Sequence, residues 1–176
     1  YLFVGDSVAE IVSEYTALTG RHRMPPLWTL GFHQCRWSYM SSGEIRTIAA
    51  ELRSRRIPAD GIWFDIDYMD GFRVFTFDKE RFGDICALTD ELAQQDFHAI
   101  TIVDPGVKID TPGVYDVYDQ GVDKEYFIKD ADGGMYRGKV WPGGTAFPDF
   151  SNAEVRAWWG GLHQRSSVCP PWCPQA

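Results

Sequence analysis

Three short apolar runs recur along the chain at a near-constant interval, at residues 29–36, 62–67 and 98–103, with a helical pattern in each gap. That rhythm leaves few folds open. Strands separated by helices form successive βαβ units, and right-handed crossovers then build a parallel sheet with every strand C-terminus on one edge. Arg36 and Trp37, then Asp65, Ile66 and Asp67, then Asp104 would collect on that edge. The predicted class is α/β: about three βα units of a barrel or a doubly wound sheet.

The gaps carry the expected helix signals. Ser7 and Glu10, Ser41 and Glu44, and Ser151 and Glu154 each have the Ser-x-x-Glu spacing of a capping box. The first predicted helix puts Val8, Ile11, Val12, Tyr15 and Leu18 on one face and stops at Gly20. The second has Ile45, Ile48, Ala49 and Leu52 as its buried stripe, with Arg46, Glu51, Arg53 and Arg55 opposite. The third sets Val155, Trp158, Trp159 and Leu162 at helical spacing, and a weaker helix holds Ile85, Leu88 and Leu92. Between Gly106 and Phe150 the rhythm breaks. This long insertion contains an extended piece at residues 125–129 and a turn at Asp132, Gly133 and Gly134. Long excursions at the strand C-terminal edge are where barrel enzymes build substrate pockets.

The middle strand carries the most chemistry. Strand alternation would place Trp63, Asp65 and Asp67 on one face, with Ile62, Phe64 and Ile66 on the other. Two acids on an otherwise apolar strand are costly to bury unless they line a wet cavity. Two readings stand on residue chemistry alone. The acids could cap the following loop or pair with Arg36 or Arg73. Alternatively, with Trp37, Trp63 and Tyr68 they could form a sugar site, because hydroxyls need carboxylate acceptors and sugar C–H faces need aromatic platforms. Trp141, in a Val-Trp-Pro-Gly-Gly loop, is either a second platform or a plug under the loop. Asp104, before Pro105 and Gly106, reads first as a turn former and second as a binder.

Seventeen basic against 25 acidic residues give a net charge of −8, which argues against a nucleic-acid or anionic-membrane partner. No apolar run approaches the ~20 residues of a membrane span. His22, His33, His98 and His163 have no metal-ligand spacing, and Cys35, Cys86, Cys169 and Cys173 show no C-x2-C zinc pattern. Without G-x-G-x-x-G or a P-loop, no cofactor is implied and a nucleotide-using enzyme is disfavoured.

Several motifs occur together and in order: Leu-Thr-Gly-Arg, Met-Pro-Pro-Leu-Trp-Thr-Leu-Gly-Phe-His-Gln-Cys-Arg-Trp, Trp-Phe-Asp-Ile-Asp-Tyr-Met-Asp, Ile-Val-Asp-Pro-Gly, Lys-Val-Trp-Pro-Gly and Phe-Pro-Asp-Phe. The series resembles glycoside hydrolase family 31, the α-glucosidase family, from Tyr1 to about Leu162. The resemblance implies a (β/α)8 TIM barrel that removes terminal α-linked glucose from oligosaccharides with retention. Such a barrel needs about 250 residues, so the expectation is a partial barrel: about three βα units plus the insertion. Residues 1–26 would be the exit from an upstream β-sandwich, 27–165 the barrel portion, and 166–176 a non-family tail left by a frameshift or truncation. By motif position Asp65 resembles the acid that grips the outer hydroxyls of the terminal glucose. Trp37, Ile66, Ile102 and Trp141 resemble positions lining the same subsite.

A retaining glycosidase needs two carboxyls about 5–5.5 Å apart. The family's nucleophile motif, Trp-x-Asp-Met-Asn-Glu, does not occur in this sequence. No catalytic residue is therefore assigned, and Asp65 and Asp67 are not promoted to that role. The chain is expected to be inactive alone. A non-catalytic sugar-binding remnant, or a parent acting as α-xylosidase or transglycosidase, is the alternative.

Overall fold

A computed structural model describes residues 1–166. The chain divides into two compact units, Tyr1–Leu30 and a larger one from Gly31 onward. The first holds helix α1 (Val8–Thr19) and a 3-10 turn at Leu27–Leu30. Ser7 caps α1 by accepting from the Glu10 amide, and Gly20 closes it at φ 104°, where a Cβ would be strained. The apolar stripe of α1 is not buried: Val8, Val12, Tyr15 and Leu18 are all exposed.

The larger unit is built on strands β1 (His33–Gln34), β2 (Gly61–Trp63) and β3 (His98–Ile100), parallel in the order β1-β2-β3. Gly61 lies opposite both His33 and His98. Its missing side chain matters, because a Cβ there would come within 2.9 Å of Ile100 and 3.1 Å of His33. Helix α2 (Ser42–Ser54) crosses from β1 to β2; α3 (Lys79–Phe82) and α4 (Ile85–Ala93) cross from β2 to β3. Ser41 accepts from the Glu44 amide, so the second predicted cap forms. Ile45, Ala49 and Leu52 of α2 bury against Ile62, Phe64, Leu88 and Leu92 in one core.

The strands are shorter than predicted. Residues 29 and 30 belong to the 3-10 turn. β2 stops at Trp63 because Asp65 takes φ 58°, in the left-handed region. Asp tolerates that region better than most residues, but it breaks the alternation, so Asp65 and Asp67 do not continue one strand face. Arg53 also differs from its predicted place on the polar face of α2. Its guanidinium stacks on Phe97 at 3.7 Å and donates to the carbonyls of Gln95 and Ala59, each at 2.9 Å.

After β3 the insertion forms its own antiparallel sheet: β4 (Val107–Lys108), β5 (Gly138–Val140) and β6 (Gly143–Ala146), in the order β4-β6-β5. The predicted extended piece forms single bridges, Phe127 to Pro148 and Lys129 to Met135, around a turn at Gly133 with φ 87°. The insertion also contains an unpredicted helix, α5 (Asp116–Asp123), whose Val117, Tyr118 and Gly121 are buried. Helix α6 (Ala153–Ser166) follows, burying Val155 and Leu162 and half-burying Trp158 and Trp159. Its predicted Ser151 cap is not made: the Ser151 hydroxyl donates to Asp149 at 2.6 Å, and Asn152 instead accepts from the Glu154 amide at 2.9 Å. All but the first residue of the predicted tail lies outside the described residues.

Candidate functional site

At the C-terminal ends of the parallel strands, the chain encloses an open cavity of about 330 Å³, lined by Trp37, Asp65, Ile66, Ile102, Asp104 and Trp141. The volume falls at the small end of the range for ligand sites. Each β-strand supplies part of the wall. Trp37 follows β1, Asp65 and Ile66 follow β2, and Ile102 and Asp104 follow β3.

Trp141 arrives from the insertion. Val140 pairs with Gly143, so Trp141 and Pro142 form a two-residue hairpin tip. The loop closes through Gly143 at φ 91°, a conformation a side chain would strain. Three contacts pin the insertion onto the loop after β2: Arg73 to Asp110 at 2.7 Å, Lys108 to the Gly71 carbonyl at 2.8 Å, and Tyr115 to the Val74 carbonyl at 2.8 Å. The rings of Trp37 and Trp141 then lie 5.7 Å apart at 47°. They remain 70% and 58% exposed, unlike core aromatics, and provide apolar faces beside carboxylates.

Asp65 is held by its surroundings. Ser38 accepts from the Asp67 amide at 3.4 Å, linking the loop that carries Trp37 to the loop that carries Asp65. Asp67 is buried, and its carboxylate faces Arg81 at 3.9 Å. The arginines suggested by sequence for these acids are engaged elsewhere: Arg73 with Asp110 and Asp70, and Arg36 over the ring of Tyr39. Burial first, then the charge of Asp67, raises the Asp65 carboxyl above its ordinary pKa. Asp104 adds to the rise, and a hydrogen bond from the Ile66 backbone opposes it.

The structure thus gathers Trp37, Asp65, Ile66, Ile102 and Trp141 around one cavity. Trp63 lies deeper, where its indole N–H donates to His33 at 3.2 Å. Two further contributors are weakly marked in the sequence. Asp104 reads first as a turn residue, although its place two residues after Ile102 on an extended segment is a signal for the shared wall. Tyr68 donates to the Ile102 carbonyl at 2.7 Å from a buried position; no local pattern announces that bond. Such a site can accept hydroxyl protons at carboxylates while apolar faces contact C–H surfaces.

Comparison with known proteins gives a consistent picture. Residues 22–169 match the domain described as "Glycosyl hydrolases family 31 TIM-barrel domain". The chain is 47% identical to alpha-glucosidase 2 of Bacillus thermoamyloliquefaciens over 93% of its own length and 21% of the relative's. It is 43% identical to the lysosomal alpha-glucosidase of Bos taurus, over 90% of this chain and 17% of that one. Among solved structures, the DNJ-bound glucosidase II alpha subunit superposes with a TM-score of 0.83 at 36% identity, covering 91% of this chain and 17% of that one. A Flavobacterium johnsoniae dextranase complexed with glucose superposes with a TM-score of 0.79 at 33% identity, covering 92% and 20%. The chain therefore spans about a fifth of the length of these relatives.

Proposed function

The chain belongs to glycoside hydrolase family 31, and we propose that it forms the glucose-holding wall of a retaining α-glucosidase barrel without supplying the catalytic carboxyls. The (β/α)8 class follows from the family and its structural neighbours; three parallel strands here would be the first part of such a barrel. The observation that carries the reading is the convergence of Trp37, Asp65, Ile66, Ile102 and Trp141 on one small cavity. In this reading Asp65 accepts two neighbouring hydroxyl protons from a terminal glucose. The tryptophans flank its apolar faces, and Ile66 and Ile102 keep water from the remainder. The substrate of the parent is an α-glucoside oligosaccharide, in keeping with relatives that are alpha-glucosidases.

Retention requires a nucleophile and an acid/base on opposite sides of the scissile bond, and Asp65 and Asp67 do not provide that pair. The Asp67 carboxylate faces Arg81 at 3.9 Å, while its backbone amide donates to Ser38. The chain alone should bind glucose and turn over nothing. Two assays test this. Glucose should perturb the emission of Trp37 and Trp141 in a saturable way that Asp65→Asn abolishes. A chromogenic α-glucoside should be released no faster than in buffer; release above that background would overturn the assignment.

A further inference from the structure

We infer that Asp104 is a second sugar-contacting carboxylate of this cavity, gripping a hydroxyl that Asp65 does not reach. The inference rests on reading the cavity as a glucose subsite. Asp104 lines the same cavity as Asp65 but comes from a different strand end. Among the described residues its side chain has no hydrogen bond or ion pair, whereas three other covered acids of this region are engaged. Asp67 has Arg81, Asp78 has Arg81, and Asp110 has Arg73. A half-buried carboxylate left open toward a cavity needs a proton donor to offset its lost hydration. The segment that carries it is anchored two residues earlier, where Tyr68 donates to the Ile102 carbonyl at 2.7 Å. A pyranose presents hydroxyls around its rim, so carboxylates on two walls grip two sectors of one ring. The charge of Asp104 also raises the Asp65 carboxyl, consistent with its nearness.

The test uses the full 176-residue chain with D-glucose as probe and tryptophan emission as readout. Asp104→Asn should weaken glucose roughly tenfold at neutral pH, the size of one charge-assisted hydrogen bond. One of the monodeoxy-glucoses, lacking the hydroxyl that Asp104 grips, should bind Asp104→Asn and the unaltered chain alike. Asp104→Ser, smaller and still polar, serves where the amide alters the far-ultraviolet circular dichroism. If Asp104→Asn or Asp104→Ser binds glucose as the unaltered chain does while Asp65→Asn has lost it, Asp104 is not a contact and the subsite reading stands. Asp104 is likewise not a contact if only the pH midpoint of binding moves. Absence of any saturable response in the unaltered chain overturns the subsite reading and this inference together.

Discussion

The hydroxyl of Tyr68, a residue only 2% exposed, donates to the carbonyl oxygen of Ile102 over 2.7 Å. The bond ties the loop after β2 to the end of β3, the two segments that supply four of the six cavity-lining residues. Burial pushes the Tyr68 pKa up to about 12, so the phenol stays a donor at every working pH. Tyr68→Phe leaves the ring packed on Phe77, 5.2 Å away, and removes only the donor. Chemical denaturation should show a loss of about 1–2 kcal/mol, and glucose should bind more weakly because Ile102 is released. Unchanged glucose affinity in a destabilised variant would show that the bond serves folding only.

The raised pKa of Asp65 gives binding and stability opposite pH dependences. Its folded-state pKa lies above the ordinary 3.8. Its contribution to folding is therefore greatest below that value and is lost as pH rises through the raised one. Hydroxyl acceptance needs the carboxylate, so glucose affinity should fall as pH drops through the same window. Fluorescence titrations at a series of acidic to neutral pH values check this. Asp65→Asn, which keeps a residue tolerant of φ 58°, should remove this part of the stability dependence; an acid-side stability profile identical to that of the unaltered chain would assign the dependence to another group.

Legibility in the sequence follows the range of the forces involved. Caps at Ser7 and Ser41 are local and can be read directly, whereas Ser151 has the same spacing but loses its hydroxyl to Asp149. The βα rhythm predicts the parallel order, but not where β2 ends, since that depends on the backbone at Asp65. Asp65 and Trp37 are visible as a carboxylate and an aromatic on one edge. Their meeting with Trp141 depends on hairpin register and on distant pins such as Arg73 with Asp110, which no sequence window contains. Helix α5 is hidden in the insertion because its eight residues, with a glycine among the three buried, give too short a pattern.

Arg53 provides a separable test of the scaffold. It bridges α2 to the carbonyls of Ala59 and Gln95, just before β2 and β3, and covers Phe97. This is the strand N-terminal side, away from the cavity. Arg53→Ala should cost about 1–3 kcal/mol by denaturant unfolding, and Arg53→Lys should recover little, because an ammonium cannot reproduce a stacked planar fork. Glucose affinity of the folded fraction should be unchanged. A large affinity loss would mean that strand positions respond as one body.

The Arg73–Asp110 pair should matter more for the site than for the fold, because it fixes the insertion that carries Trp141. Both side chains are largely covered, at 17% and 15% exposure, and the bond is 2.7 Å. A hydrogen bond from the Thr111 backbone, followed by that from Arg73, holds the Asp110 carboxyl below its ordinary pKa. Its contribution is thus complete above that ordinary value and is lost as pH falls through the lowered one. Arg73→Ala and Asp110→Ala should each weaken glucose binding and shift the emission of Trp141, read in a Trp37→Phe background. Combined, they should do little more than either alone, because each removes the same link. Additive losses of affinity would show that Arg73 and Asp110 act through separate contacts, and no loss in either variant would show that Lys108 and Tyr115 hold the hairpin tip without this pair.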